Sequence, residues 1–167
     1  MNRGIFPPAT IGIIGGGQLG MMTIREAQRM GYRSIVWDPD PECPASRLAD
    51  DCITAPYADS EAARRFADRS AIVTYEFENI ESGAVEVIEE SKQVLPGSAI
   101  LKITQHRELE KAELTRRGIP VCRYAVARSA GELKEAVASL GFPVVVKTTT
   151  SGYDGKGQTV IRSESEL

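Results

Sequence analysis

Residues 10–20 have the sequence TIGIIGGGQLG, and the rest of the chain can be interpreted outward from it. The first half, Thr10–Gly15, is short, apolar and rich in β-branched residues, which predicts a buried strand. The second half, Gly15–Gly20, matches G-x-G-x-x-G, a pattern that joins a strand directly to a helix. The N-terminus of such a helix presents unpaired N–H groups to an anion. The stretch therefore predicts a strand, an anion-binding glycine loop and a helix over Gly17–Met30.

The same alternation of strands and helices continues to about residue 100. Further strands are predicted at Ser34–Trp37, Cys52–Ala55, Ala71–Tyr75 and Gln93–Leu95, and helices at Ser60–Asp68 and Glu81–Glu90. Strands that alternate with helices form a parallel sheet with helices on both of its faces. The first part of the chain is therefore predicted to be an α/β domain.

The pattern changes after residue 100. One helix is predicted at Gln105–Arg117, and a second begins at the capping box Ser129-x-x-Glu132. Strands are predicted at Arg123–Val126, Val144–Lys147 and Gln158–Arg162. The last two strands enclose a glycine-rich loop at 148–157, and Val144–Lys147 is expected to be buried. Because a strand–loop–strand hairpin does not continue a parallel sheet, we place a boundary at 98–104. The expected domains are 1–102 and 103–167.

Composition and charge exclude several classes of protein. Hydrophobic residues make up 42% and charged residues 26%, as in ordinary globular proteins. With 20 basic and 23 acidic residues the net charge is −3, which argues against nucleic acid as the main partner. The single histidine, His106, excludes a multi-histidine metal site. The N-terminal apolar run is too short and interrupted for a membrane span or signal peptide, so we expect a soluble, cytoplasmic protein.

The loop at 148–157 has the features of a phosphate site. Lys147 ends a strand predicted to be buried, where its charge is costly unless it meets an anion or a carboxylate. Glycines at 152, 155 and 157 allow backbone N–H groups to converge on phosphate oxygens, and Lys156 adds a mobile positive charge. Two other interpretations stay open: Lys147 paired with a core carboxylate, and the loop as a solvated hairpin turn.

The loop at Gly15–Gly20 also has more than one interpretation. Asp38 ends the second predicted strand, where dinucleotide-binding folds keep the acid that binds a ribose, so an NAD-dependent oxidoreductase is one alternative. Asp38 could instead cap the DPDPECP turn that it begins, and the glycine loop could be a tight turn without a ligand. Glu76, Glu78 and Asn79 follow the fourth strand and could hold sugar hydroxyls or an amine, or cap the next helix.

Four motifs occur together in the order typical of one family. They are IGIIGGGQLG at 11–20, IVTYEFENI at 72–80, ITQHRELEK at 103–111, and VVVKT with SGYDGKGQ at 144–148 and 151–158. From about Thr10 to Arg162 the chain resembles the 5-(carboxyamino)imidazole ribonucleotide synthetases of the ATP-grasp superfamily. The resemblance implies an α/β architecture: a Rossmann-like, parallel-sheet pre-ATP-grasp domain followed by the first part of an ATP-grasp domain.

The resemblance further implies an ATP-dependent ligase. In this family bicarbonate attacks the γ-phosphate of ATP, and the resulting carboxyphosphate carboxylates the exocyclic amine of aminoimidazole ribonucleotide (AIR). The implied ATP-binding residues are Arg107, Lys147, Gly152, Tyr153, Asp154, Gly155, Lys156, Gly157 and Gln158. The implied AIR-binding residues are Gly15, Gly16, Gly17, Gln18, Leu19, Glu76 and Asn79. Tyr153, Asp154 and Lys156 are the implied catalytic residues, with Asp154 a candidate to orient or deprotonate the amine.

Family members extend well beyond a position equivalent to Leu167, and the further residues carry the Mg²⁺ ligands. The resemblance therefore implies ATP and Mg²⁺ as cofactors, AIR and bicarbonate as substrates, and no metal ligands within 1–167. It also suggests a homodimer, and it leads us to expect that residues 1–167 alone do not turn over ATP. A non-catalytic nucleotide-sensing module that kept the two loops remains an alternative.

Overall fold

A computed structural model of the chain describes residues 4–152 and 155–167. The chain divides into two units, Met1–Lys102 and Ile103–Leu167, each of which is described by itself. Tyr153 and Asp154, two of the predicted catalytic residues, lie outside the described residues. Within the described part, every helix is too short or too polar to cross a lipid bilayer.

A parallel sheet of four strands forms the centre of the first unit. The strands are β1 (Thr10–Ile14), β2 (Arg33–Asp38), β3 (Asp51–Thr54) and β4 (Ile72–Tyr75), in the spatial order β3-β2-β1-β4. Ile13 of β1 is paired with Val36 of β2 on one side and with Thr74 of β4 on the other. Since all four strands run the same way, their carboxyl ends lie at one edge of the sheet. The predicted α/β fold with a parallel sheet is confirmed.

Helices connect these strands and cover both faces of the sheet. They are α1 (Gln18–Arg29), α2 (Ser60–Arg69), α3 (Ser82–Glu89) and α4 (Ser98–Thr104), with a 3₁₀ turn at Pro44–Arg47. Asp59 begins α2, because its carboxylate accepts the N–H groups of Glu61 and Ala62 at 2.9 and 3.0 Å. Each helix lies near its predicted position except α4, which was not predicted.

The core of the first unit has two parts, one on each face of the sheet. On one face Trp37 is fully buried, its ring lies 5.8 Å from that of Phe66, and its indole N–H donates to the Ala55 carbonyl at 2.9 Å. On the other face Ile13 and Ile24 are fully buried. Alternate residues of β1 and β2 thus enter opposite cores, as expected for a sheet between two helical layers.

One predicted strand of this unit is reduced to a single bridge. In place of a strand over Gln93–Leu95, Val94 makes one parallel bridge with Val73. Pro96, two residues further on, has no N–H group to donate, so the ladder stops there. The chain then turns into α4, whose Leu101 is fully buried in the core.

The second unit combines two helices with a β-hairpin. Its elements are α5 (Arg107–Arg116), α6 (Ala130–Leu140), β5 (Val144–Lys147), β6 (Gln158–Ile161) and a 3₁₀ turn at Glu164–Glu166. The two strands are antiparallel, with Lys147 opposite Gln158. The predicted hairpin around a ten-residue glycine loop is therefore confirmed. The predicted cap at Ser129 also forms, because its hydroxyl accepts the Glu132 N–H at 3.2 Å, whereas the Glu132 carboxylate accepts the Arg128 N–H at 2.8 Å and not that of Ser129.

Two expectations for this unit are wrong. Arg123–Val126 is not a strand, since no strand among the described residues pairs with it, and it lines an open cavity beside β5 and α6 instead. The strand β5 is not buried: Val145 is 52% exposed, and alternate residues are only half-buried. The physical reason is that few side chains pack over the strand: among the described residues of this unit, the buried side chains are those of Val137 and Ile161.

Candidate functional sites

The first candidate site is the glycine loop between β1 and α1. Gly15 has φ +97°, a value that side chains other than glycine strongly disfavour, and its N–H donates to the Trp37 carbonyl at 2.9 Å. The first helical hydrogen bond runs from the Met21 N–H to the Gly17 carbonyl at 2.9 Å. The N–H groups of the three residues between them, 18–20, therefore have no acceptor within the helix. Exposed Gln18 and Leu19 flank this end of the helix, which suits an anion.

Glu76 lies directly against this loop. It follows β4, and its N–H donates to the Ile14 carbonyl at 3.2 Å, which brings it beside the end of β1. A Cβ atom added to Gly17 would lie 2.8 Å from the Glu76 Oε1 atom. Asn79, further along the same connection, is exposed. The structure thus brings Glu76 next to the predicted AIR-binding glycines, and it places Asn79 on the loop that follows.

The surroundings of Glu76 disfavour the ionised form of its carboxyl group. Burial is the main cause that raises the pKa of its carboxyl group, and the charges of Asp38 and Glu78 raise it further. A carboxyl group whose pKa is raised on folding binds protons more tightly in the folded state. Its ionisation therefore destabilises the fold at neutral pH, and this destabilisation disappears below the pKa of the unfolded chain.

Replacing Glu76 by Gln should remove this pH-dependent destabilisation. At pH 7 the variant should have a higher free energy of unfolding than the wild type, because a neutral amide replaces a half-buried charge. Near pH 4 the two proteins should be about equally stable. Urea denaturation at both pH values measures the difference, with Glu135→Gln as the control in which an exposed carboxylate is removed. A gain that persists unchanged at acidic pH would contradict the charge as its cause.

The Asp38 carboxylate is engaged by hydrogen-bond donors of the chain itself. Its Oδ1 atom accepts the Asp40 N–H at 2.8 Å, so it caps the turn as one interpretation predicted. Its Oδ2 atom accepts the Gly16 N–H at 2.6 Å and the Tyr57 hydroxyl at 3.1 Å. Because three donors of the chain already bind these two oxygens, Asp38 has a local structural use, which weakens the case for the NAD-dependent oxidoreductase.

The second candidate site is the loop between β5 and β6. The Thr148 N–H donates to the Gly157 carbonyl at 2.8 Å and closes the loop at its base. Arg107 makes two hydrogen bonds to the loop. Its backbone N–H donates to the Thr149 carbonyl and its Nη2 atom to the Gly152 carbonyl, both at 2.9 Å. A guanidinium group of the predicted ATP site is thus attached to the glycine loop.

An open cavity of about 820 Å³ lies beside this loop, within the second unit. Arg107, Lys147 and Thr148 line it at the loop, and Leu133 and Val137 of α6 line its apolar side. Lys147 is exposed at the end of β5, and no carboxylate among the described residues forms an ion pair with it. A cleft that has basic side chains at the loop and an apolar side on α6 suits a ligand that has both phosphates and a flat apolar ring system.

The remaining predicted loop residues can be placed only in part. Gly155, Lys156, Gly157 and Gln158 are exposed around the loop and the start of β6. The catalytic roles assigned to Tyr153, Asp154 and Lys156 stay predictions, and the first two of these lie outside the described residues.

Sequence reasoning missed two residues of the first site, Tyr57 and Cys43. Tyr57 follows β3, so the rule that ligands bind at the carboxyl edge of a parallel sheet could have found it. Cys43 is buried against Gly16, and a Cβ atom on that glycine would lie 2.2 Å from its sulfur. No sequence signal points to that contact, because it depends on how the DPDPECP turn folds back.

Comparison with known proteins identifies both parts of the chain. A family model for the ribonucleotide synthetase preATP-grasp domain matches residues 8–105, and an ATP-grasp domain model matches residues 112–167. The N5-carboxyaminoimidazole ribonucleotide synthase of Bacillus subtilis (strain 168) is 47% identical over 163 residues, which are 98% of this chain and 43% of that protein. The chain thus spans less than half the length of this relative.

Two solved structures extend the comparison. One is an ADP complex of N5-carboxyaminoimidazole ribonucleotide synthetase, with a TM-score of 0.93 and 46% identity over 99% of this chain and 44% of that one. The other is the Aspergillus clavatus N5-carboxyaminoimidazole synthase in complex with ADP and 5-aminoimidazole ribonucleotide, with a TM-score of 0.80 and 25% identity over 97% of this chain and 43% of that one. Since the first family model covers more than half of the residues, the chain belongs to the ribonucleotide synthetase preATP-grasp family, with an ATP-grasp segment following that domain.

Proposed function

We propose that the chain is part of an ATP-dependent ligase that binds AIR on residues 1–102 and the phosphates of ATP on residues 103–167. The observation that carries the proposal is the pair Arg107 and Lys147, which line one cavity while Arg107 holds the glycine loop. The resemblance to synthetases solved with ADP, and with ADP and AIR together, supports the same assignment.

The proposed reaction forms one carbon–nitrogen bond. A bicarbonate oxygen attacks the γ-phosphorus of ATP, the bond to ADP breaks, and carboxyphosphate forms. The exocyclic amine of AIR then attacks the carboxyl carbon, loses a proton and displaces phosphate. The products are carboxyaminoimidazole ribonucleotide, ADP and phosphate, a step of de novo purine biosynthesis.

The residues of this chain have separate tasks in that reaction. Lys147 and Arg107 neutralise phosphate charge, which is the main requirement for phosphoryl transfer. The loop at 148–157 covers the reacting groups and excludes water, because carboxyphosphate is short-lived in water. Tyr153, Asp154 and Lys156 stand nearest those groups in the proposal, and Asp154 orients or deprotonates the amine of AIR.

Mg²⁺ is expected to accompany ATP, because it shields the charge of the phosphates. In the part of the chain that the structure describes, no three His, Cys, Asp or Glu side chains come together to hold a metal ion. These residues therefore do not fit a metal site. A cytoplasmic location and a homodimer complete the proposal.

Calorimetric titration and a turnover assay test the function together. The protein expressed from its complete gene should bind AIR and Mg·ATP, and with ¹³C-bicarbonate it should form labelled carboxyaminoimidazole ribonucleotide and ADP. NADH serves as the control ligand and should not bind. Binding of NADH at micromolar concentration would favour the oxidoreductase, and nucleotide binding without turnover would favour the sensing module.

The first glycine loop gives a specific prediction for substrate binding. Gly17→Val should raise the KM for AIR about tenfold or more, because its side chain would meet Glu76 and obstruct the loop where the substrate approaches. The KM for ATP should stay unchanged. Gly83→Val is the matched control, since a Cβ atom on Gly83 has no neighbour within 4 Å. A variant that loses only folding stability would show that the loop is a turn without a ligand.

A further inference from the structure

Asp38 is the last residue of β2 and is partly buried at the carboxyl edge of the sheet. One of its oxygens, Oδ2, accepts both the Gly16 N–H at 2.6 Å and the Tyr57 hydroxyl at 3.1 Å. A bond of 2.6 Å from an N–H group to a carboxylate is short even for a charge-assisted hydrogen bond. Asp38 therefore fixes the middle glycine of the loop, and Tyr57 fixes Asp38.

Tyr57 is itself held by aromatic packing. Its ring makes an edge contact with Trp37, at 5.7 Å between centroids, and another with Phe77, at 6.2 Å. Burial and the neighbouring Asp38 charge raise the pKa of the Tyr57 hydroxyl, so this group stays protonated and donates. Because Trp37 is buried in the core, the hydroxyl is connected to the rigid part of the first unit.

Gly16 is restrained from its other sides as well. Its carbonyl accepts the Ala45 N–H at 2.9 Å, and the buried Cys43 leaves no space for a side chain there. The Gly16 N–H is thus committed to Asp38. The amides available to an anion are those that follow it, at the start of α1.

We propose that Asp38 and Tyr57 are positioning residues for substrate binding. Asp38 accepts the Gly16 N–H, so that this group does not bind the anion. The Tyr57 hydroxyl keeps Asp38 in the rotamer that accepts this hydrogen bond. The N–H groups at the start of α1 are thereby left for the single phosphate of a ribonucleotide, and the Asp38 carboxylate serves the loop instead of the second ribose of a dinucleotide. This inference rests on the proposed function, since AIR is the ribonucleotide in question.

Two variants, Tyr57→Phe and Asp38→Asn, test the proposal in the protein expressed from its complete gene. Each should raise the KM for AIR about three- to tenfold, the effect of one lost hydrogen bond, while kcat and the KM for ATP change little. Tyr32→Phe is the matched control, because that hydroxyl also makes one hydrogen bond in this unit, to the Ile5 carbonyl at 2.9 Å. It should leave both KM values unchanged.

A second measurement reports on the loop without any substrate. In ¹⁵N-labelled protein the Gly16 amide proton should move upfield in Asp38→Asn, because a neutral acceptor replaces the carboxylate, and it should stay in place in Tyr32→Phe. An unmoved Gly16 resonance, or a moved one with an unchanged KM for AIR, would overturn the inference while the proposed function stands. Failure of the wild-type protein to bind AIR would overturn the proposed function, and with it the substrate assigned to these residues.

Discussion

Lys147→Ala is expected to weaken ATP binding about 10- to 150-fold, which corresponds to roughly 1.5–3 kcal/mol for hydrogen bonds to a charged group. Lys147 ends β5 at the base of the glycine loop, and it lines the same cavity as Arg107. Its side chain is exposed, so its removal should not disturb the fold. Calorimetric titration of Mg·ATP into the variant and the wild type, both expressed from the complete gene, measures the change.

Two controls make this result specific. Lys134→Ala removes another exposed lysine of the same unit, from α6, and should leave ATP affinity unchanged. Titration with AIR should give the same affinity for Lys147→Ala as for the wild type, because the proposal places AIR on the first unit. Unchanged ATP affinity in Lys147→Ala would show that this lysine does not contact the nucleotide.

Trp37→Ala is expected to lower the free energy of unfolding by about 3–5 kcal/mol. Trp37 is fully buried, packs against Phe66 and Tyr57, and donates to the Ala55 carbonyl. The loss is large compared with a total stability of about 5–15 kcal/mol for a typical domain. Because the chain has one tryptophan, urea denaturation should be followed by circular dichroism and not by fluorescence.

Trp37→Phe separates packing from hydrogen bonding. This variant keeps an aromatic ring in the core but leaves the buried Ala55 carbonyl without its donor, so it should cost about 1–3 kcal/mol. The order of stability should therefore be wild type, Trp37→Phe, Trp37→Ala. Surface substitutions typically change the free energy of unfolding by no more than about 0.5 kcal/mol. If both variants stayed within that range of the wild type, the burial of Trp37 in the core would be contradicted.

The first unit could be predicted well from the sequence because its signals are local and agree with one another. The strands β1, β3 and β4 are each followed by a turn and a helix, and both faces of the sheet are covered. The four strands β1–β4 therefore lie within a residue or two of their expected positions. The helix α4 could not be predicted in this way, since its seven residues are too few to show a helical period.

The second unit was predicted less well for a physical reason. Strand signals at Arg123–Val126 and Val144–Lys147 describe a tendency to be extended, but pairing and burial depend on what lies beside each segment. Among the described residues, Arg123–Val126 has no strand partner and β5 is half-exposed. The loop residues were found from glycine and lysine spacing, whereas the bond from Arg107 to the Gly152 carbonyl depends on three-dimensional proximity.

The central position of β1 has a consequence for synthesis on the ribosome. β1 is made before the other three strands of its sheet, yet it lies between β2 and β4, and its pairing is complete only after Tyr75 has emerged. At about 5–20 residues per second, the apolar segment from Thr10 to Ile14 waits roughly 3–12 s for its second neighbour. During that interval the nascent chain exposes an unpaired strand edge, so we expect β1 to be the segment that a ribosome-associated chaperone protects.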